Sequence, residues 1–230
     1  MNRSILAAAA ALWLAGCGLI DPDITDFELQ LPKKEFTVNT GEWELSADAV
    51  FPRIDCTSQP GVCPTGIATA CGNEALCFGS CDGTYCRATV LVALFQTVNL
   101  YDERPELKTI DEQPLVSVTV ERVAYDVIEN TLNVDLPELT VYVGPASAMT
   151  PGDPLARPIG TVPPILAGTL PTDAEVNMTP EGREDLREYM KDYMSEFNII
   201  VGAEVEMEAD DPMPSGRLTA AVYGNARAGI

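Results

Sequence analysis

Hydrophobic and polar residues alternate along most of this chain with a period of two. The clearest early run is Phe27, Leu29 and Leu31, which would share one face of a strand, and a second short run spans residues 36–38. Alternation over such lengths is typical of strands that are buried on one side. We therefore expect strands in both runs, and one more within residues 41–54.

The middle of the chain continues the strand pattern. Residues 88–100 are almost continuously apolar, which favours a central strand buried on both faces. Residues 115–132 alternate with one shift near Val123, and residues 136–143 alternate until Gly144 and Pro145 end the run. These segments predict three further strands.

The last third predicts four more strands. Residues 159–170 and 174–179 are short candidates, and the first is expected at a sheet edge because it contains two consecutive prolines. Residues 198–209 and 216–228 alternate more clearly, with a proline- and glycine-containing connection between them.

One helix is predicted, over residues 179–197. Thr179 suits the N-cap position and Pro180 the first helical position. Six apolar residues fall at helical spacing and predict a single buried stripe: Leu186, Tyr189, Met190, Tyr193, Met194 and Phe197.

Together these elements predict a mainly β protein. We expect an Ig-like antiparallel β-sandwich with one amphipathic helix, formed by residues 26–230 as a single domain with a cysteine-rich insertion at 56–86. Residues 157–230 also resemble the Ig-like domains of late-embryogenesis-abundant type 2 proteins. The resemblance rests on the element order, on Gly202 inside the penultimate strand and on a connection containing Pro212, Pro214 and Gly216. It implies a fold and does not carry a function.

The first residues differ from the rest of the chain. Arg3 is the only charged side chain before an apolar and small-residue run from Ile5 to Gly16. This run has signal-peptide proportions and is shorter than the ~20 apolar residues of a membrane-spanning helix. Residues 1–16 are therefore predicted to be a signal peptide.

The end of that run resembles the lipobox of bacterial lipoprotein precursors. Leu14, Ala15 and Gly16 precede Cys17 in the required register. The resemblance implies cleavage between Gly16 and Cys17, acylation of Cys17 with chains such as palmitate, and a lipidated tether over residues 17–25. Several acyl chains together give stable membrane anchoring. Because Gly18 follows the cysteine, the resemblance favours passage to the outer membrane.

Six further cysteines cluster within 56–86, and they are Cys56, Cys63, Cys71, Cys77, Cys81 and Cys86. In an exported chain they predict three disulfides among 15 arithmetically allowed pairings. A thiolate metal cluster is the alternative, although the chain has no C-x2-C pair and no histidine. The stapled segment would be either a tip that contacts a partner or a loop protected against proteolysis.

The formal net charge is -21, from 14 basic and 35 acidic side chains. Such a surface repels phosphate backbones and excludes nucleic acid as a natural partner. It also repels anionic lipid, so membrane attachment is expected through the acyl chains on Cys17. The excess of acidic side chains favours a solvated surface that keeps the protein soluble. The alternative is an acidic module that binds cations.

Candidate chemistry is sparse. Without histidine, the Ser-His-Asp, Cys-His and HExxH sites are excluded, and no glycine-rich phosphate loop is present. A carboxylate-dependent hydrolase stays open as an alternative, since its paired acids are recognised only in space. The sequence thus predicts no catalytic residue, metal or cofactor. The leading hypothesis is a non-enzymatic envelope lipoprotein with a binding or structural role, partnered by the membrane and by another envelope protein.

Overall fold

The computed structural model describes residues 26–46, 48–59, 61–71, 77–109, 115 and 117–230. Within these ranges the chain forms two antiparallel β-sheets, which confirms the mainly β prediction. The predicted signal peptide, residues 1–16, and the predicted tether, residues 17–25, lie outside the described residues. Gly16 and Cys17 therefore keep only their sequence-based interpretation.

The first sheet has four strands in the order β1-β10-β4-β7. They are β1 Asp26–Asn39, β4 Ser117–Asn130, β7 Ala174–Glu175 and β10 Arg217–Gly229. The two early alternating runs are one strand, β1, whose register shifts at a bulge between Leu31 and Lys34.

The second sheet has six strands in the order β2-β3-β9-β5-β6-β8. They are β2 Cys77–Asp82, β3 Tyr85–Val98, β5 Leu139–Pro145, β6 Arg157–Val162, β8 Asn177–Met178 and β9 Phe197–Met207. All of its strand pairs are antiparallel.

Four α-helices occur among the described residues, where one was predicted. They are α1 Val62–Ala70, α2 Leu100–Glu103, α3 Pro105–Lys108 and α4 Pro180–Lys191. The predicted helix is α4, and its N-cap is confirmed because the N–H of Gly182 donates to Thr179 Oγ1 at 2.8 Å. Gly182 is needed there, since a Cβ would lie 2.1 Å from the carbonyl oxygen of Ile159.

The predicted end of this helix is wrong. The helix stops at Lys191, Phe197 begins β9, and Met194 is exposed instead of joining the apolar stripe. Leu186, Met190 and Tyr193 are buried as expected. The later spacing was misleading because the chain must turn back after Lys191 to enter the second sheet.

The strand predicted within residues 41–54 is also wrong. A 3-10 helix occupies Thr40–Glu42, and its N-cap Asn39 accepts the N–H of Gly41 at 3.2 Å. After it the described residues up to Ile54 form isolated bridges in place of a strand, and these join Leu45 to Cys71 and Val50 to Pro212. Single bridges arise because this segment passes partners that themselves lie outside the long strands.

β3 is not buried on both faces as predicted. Val90 and Val92 point into the core, whereas Ala93 and Phe95 are exposed on the outer face of the second sheet. β3 lies next to the terminal strand β2, and no layer among the described residues covers this part of its outer face.

Two short strand predictions are corrected as well. The strand predicted within residues 159–170 is β6, which ends at Val162, before the two prolines. It pairs with β8 and therefore does not form the edge of the sheet. The second divides into β7 in the first sheet and β8 in the second, with buried Val176 between them. The segment crosses from one sheet to the other, so neither half grows beyond two residues.

The long strands give the molecule two distinct ends. At one end Asp26 pairs with Gly229, and Gly229 pairs with Ser117. At the other end Asn39 pairs with Arg217. The 14 residues of β1 separate these ends by roughly 40 Å at the usual strand rise.

Candidate functional site

The most distinctive region is a disulfide-linked unit that we call the cystine cap, comprising described residues 56–59, 61–71 and 77–86. Three disulfides join Cys56 to Cys81, Cys63 to Cys86, and Cys71 to Cys77. The predicted set of three bridges is thus present in the structure, which selects one of the 15 pairings.

The cap has more structure than the loop that the sequence predicts. Helix α1 packs on the inner face of the hairpin formed by β2 and the start of β3, and Ile67 is buried between them. Gly79 permits this contact, since a Cβ there would lie 2.6 Å from Ile67 Cδ1 and 2.8 Å from the Cys63 carbonyl oxygen. Five of the six cap cysteines are buried and belong to the same core as the sheets.

The hairpin of the cap turns through Gly83 and Thr84. Gly83 has a φ of 76°, a left-handed conformation that glycine adopts without steric cost. The tight turn places Asp82 opposite Tyr85 and Cys81 opposite Cys86. Those two cysteines are bonded to different partners, Cys81 to Cys56 and Cys86 to Cys63.

Backbone hydrogen bonds fix the cap to the body of the protein. The N–H of Ser46 donates to the carbonyl of Ala70 at 2.8 Å, and the N–H of Cys86 donates to Ile54 at 2.9 Å. Between these two contacts, within the body, the N–H of Phe51 donates to the carbonyl of Asp211 at 2.8 Å. These partners lie beyond the Asn39 end of β1, so the cap sits at that end of the sandwich.

One group of potential metal ligands lies close together in the described part of the chain. The ligand atoms of Cys56, Cys63 and Cys86 all fall within 4.8 Å of one another. Each of these sulfurs is bonded to another cysteine, and the thiolate is the form that binds metal. The oxidised cap therefore offers no thiolate ligand set.

Two open cavities flank the cap. One, of about 450 Å³, lies between α1 and β2 and is lined by Pro64, Thr65, Ala68, Cys71, Cys77, Phe78 and Gly79. The other, of about 440 Å³, contains the charged residues Arg87 and Glu208 beside Tyr85. The cavity between α1 and β2 has no charged residue in its lining, and Phe78 at its border is 51% exposed.

A carboxylate pair lies on the first sheet of the body, outside the cap. Tyr223 Oη is 3.2 Å from Asp126 Oδ1 and 3.1 Å from Asp173 Oδ1. Burial, together with hydrogen bonds to the two aspartates, raises the pKa of Tyr223 to about 12. A phenol with that pKa stays protonated at neutral pH and donates its single hydrogen to this pair.

Basic neighbours keep both aspartates ionised. Lys33 Nζ lies 2.8 Å from Asp126 Oδ2 and lowers the pKa of Asp126, and Arg122 does the same for Asp173 from 2.8 Å. A general acid for glycoside hydrolysis needs a raised pKa. The pair instead attaches β7 to β4, since the N–H of Asp173 also donates to Asp126 Oδ1 at 2.8 Å.

The spacing of the cysteines in the sequence identifies the cap disulfides, but it does not point to the exposed aromatic Phe78 beside them. A signal for it was present in the charge pattern. Residues 56–81 contain one charged side chain, Glu74, in a chain with 21% charged residues. An exposed aromatic side chain in a neutral, disulfide-linked segment is a stronger candidate for contact than the cysteines themselves.

Among the residues that the structure describes, no helix combines the length and apolar character of a membrane-spanning segment. Comparison with known proteins finds no matching family model, no matching curated protein and no matching solved structure.

Proposed function

We propose that this protein is a bacterial envelope lipoprotein, anchored through acyl chains on Cys17, whose role is non-enzymatic binding or structure. In this account the signal peptide, residues 1–16, is removed, and the mature chain is held at a membrane of the cell envelope, the outer membrane being favoured. The sandwich carries the cystine cap away from the lipid, where it meets another envelope protein.

The observation that carries the proposal is the separation of the two ends. Asp26, which follows the tether, begins β1 at one end of the first sheet, and the cap attaches beyond Asn39 at the other. Roughly 40 Å of strand therefore lies between an anchor at residue 17 and the cap. A molecule built in this way presents its disulfide-linked end outward from the membrane.

The disulfides support the same compartment. Disulfide-linked proteins persist in oxidising environments such as the bacterial periplasm and cell surface. The three cap disulfides thus agree with export.

The chemistry of the described residues favours a non-enzymatic role. The Asp126 and Asp173 carboxyl groups are paired with cations, and their lowered pKa values do not suit a general acid. Their contacts are explained by the attachment of β7, without a substrate.

We infer further that the two sheets form an Ig-like sandwich. The support is the order β6, β7, β8, α4, β9, β10 within residues 157–230, in which β7 and β8 together take the place of the second predicted strand. That order agrees with the resemblance of residues 157–230 to late-embryogenesis-abundant type 2 domains.

Anchoring is tested by cell fractionation. Cys17→Ser should move the protein from the membrane fraction to the soluble envelope fraction or leave it as an uncleaved precursor. Gly18→Ser, a change at the neighbouring position that keeps the thiol, should leave the protein in the membrane. Unchanged membrane association of Cys17→Ser would refute the anchor.

A further inference from the structure

The four sheet edges of the described fold are not equally protected. Edge strand β1 carries a bulge next to Pro32, Lys33 and Lys34, which are features that block further strand pairing. Edge strands β7 and β8 have two residues each, and the longer β4 beyond β7 has main-chain groups occupied by other segments, such as the N–H of Val127 by Pro171 and the carbonyl of Val120 by Arg183. β2 has six residues, a regular register with β3, and neither proline nor lysine.

The main-chain groups on the open side of β2 can be identified from the hairpin. The N–H of Cys86 is directed away from β2, because it donates to Ile54. Cys86 and Cys81 thus form a pair without mutual hydrogen bonds, and such pairs alternate along antiparallel strands. The backbone groups of Cys77, Gly79 and Cys81 therefore face away from β3, along the edge of the sheet.

Side-chain sites lie on both faces of this edge. The neutral cavity of about 450 Å³ between α1 and β2 borders it on the inner face, with Pro64 and Ala68 among its lining residues. Phe78 stands on the outer face, 51% exposed. A strand placed beside β2 would direct alternate side chains to the cavity and to Phe78.

The charge of the region restricts what can bind there. Helix α1 has no charged residue, and the only charged residue of β2 is Asp82, at the turn end of the strand, although the whole chain carries a net charge of -21. A neutral surface makes no attractive ion pair with a charged ligand, and a buried unpaired charge is costly. An uncharged ligand with its own main-chain donors and acceptors matches both the edge and the cavity.

We propose that β2 is a docking edge for an extended, uncharged segment of a partner polypeptide, which adds to the second sheet as a further strand. Main-chain hydrogen bonds to Cys77, Gly79 and Cys81 hold the segment, and the cavity and Phe78 select its alternate apolar side chains. The inference rests on the proposed binding role of the cap and names the class of its partner, and it does not depend on the anchor at Cys17.

The test uses the full mature protein in detergent micelles and a panel of six-residue peptides, matching the length of β2. The peptides are capped at both termini and carry valine, threonine or phenylalanine at alternate positions, with serine between. Binding is followed by fluorescence anisotropy. A matched peptide with N-methylated amides keeps the side chains but loses the main-chain donors.

We expect saturable binding of at least one unmodified peptide and a loss of about tenfold or more in affinity for its N-methylated form. Phe78→Asp should weaken binding by a similar factor. Phe95→Asp is the matched control, because Phe95 is 41% exposed on the same face of the same sheet, on β3. This variant should bind as the wild type does.

Three outcomes would overturn the inference. They are equal binding of the N-methylated peptide, unchanged binding by Phe78→Asp with its three disulfides intact, and no binding of any peptide up to about 1 mM. Binding of a neutral glycan probe, chitotetraose, with no peptide binding would identify the cap as a sugar site instead. Since fractionation of Cys17→Ser is read separately, failure here leaves the anchoring proposal standing.

Discussion

The sandwich body and the cystine cap are stabilised in different ways. The body buries long apolar stretches between two sheets, with residues such as Phe197, Val141 and Leu186 fully inaccessible. The cap has a short helix, a hairpin and three disulfides within 31 residues of sequence, 56–86. Small units that bury little apolar surface usually need covalent links.

The two regions also differ in charge. Ion pairs cover the body, for example Lys34 with Glu103 and Arg157 with Asp185, whereas residues 56–81 hold one charged side chain. Exposed ion pairs contribute little to stability but keep a surface solvated. A neutral, covalently fixed end on an acidic body is the arrangement expected of a contact surface that must keep its shape.

The largest expected effect concerns the core of the body. Phe197→Ala should lower the free energy of unfolding by about 3–5 kcal/mol, because its ring is fully buried and packs against Tyr189. Phe78→Ala removes the same side chain from the cap surface and should change stability by less than about 0.5 kcal/mol. Denaturant unfolding of both variants measures the contrast, and equal losses would contradict the division into core and surface.

Removing a disulfide should lower the free energy of unfolding nearly as much as Phe197→Ala does, and the disruption should be local to the cap. Replacing Cys63 and Cys86 together by serine opens a link of sequence separation 23 and should cost about 3.5 kcal/mol by loop entropy. Replacing Cys71 and Cys77, at separation 6, should cost about 2.4 kcal/mol.

Both double variants should be cleaved by protease within residues 56–86 before the sheets are attacked. The experiment combines thermal unfolding with mass analysis of limited-proteolysis fragments. Early cleavage in β9 or β10 would show that the cap does not unfold separately from the body.

A smaller effect is expected from the helix–hairpin contact. Gly79→Ala should destabilise the protein by about 1–3 kcal/mol, because its Cβ would meet Ile67 and the Cys63 carbonyl. Gly61→Ala is the matched change in the same cap, with no atom within 4 Å of the added Cβ, and should be nearly neutral. Hydrogen exchange of α1 amides should rise in the first variant and stay unchanged in the second.

The smallest effect is the dependence of stability on acid. Lys33 and the N–H of Asp173 lower the pKa of Asp126 in the body, and hydrogen bonds from Thr57 of the cap lower the pKa of Asp55, the residue just before the cap. A carboxyl with a lowered folded pKa stabilises the protein above its unfolded pKa, about 3.9, and loses that contribution as the pH falls through the folded value.

Asp126→Asn and Asp55→Asn should therefore each be less stable than the wild type at neutral pH, and the difference should shrink below about pH 4. Chemical denaturation at a series of pH values measures it. A difference that grows as the pH falls would contradict the direction of these pKa shifts.

The parts of this fold that could be predicted are those specified by residues close together in the sequence. Thr179 and Pro180 define the start of α4, and alternating runs locate β4, β9 and β10. Helix α1 could not be predicted in this way, because it contains Pro64 and Gly66 and has no charged residue. The crossing of residues 174–178 between sheets also leaves no periodic pattern.

The candidate site also combines features that local sequence patterns predict with features that depend on contacts between distant residues. The clustering of the cysteines predicts disulfides, but their pairing depends on which strands meet in space. Asp126 and Asp173 are 47 positions apart and meet only because β7 pairs with β4. Among the described residues, the terminal position of β2 in its sheet follows from the order of the strands, which alternation along one strand does not reveal.

The central claim is that a lipid-anchored chain presents an oxidised cap, and the intact mass of the purified mature protein tests it most directly. We expect a chain that begins at Cys17, carries the added mass of a diacylglyceryl group and usually a further acyl chain, and contains no alkylatable thiol among the six cap cysteines. A chain that still begins at Met1 and has all of its thiols reduced would contradict it.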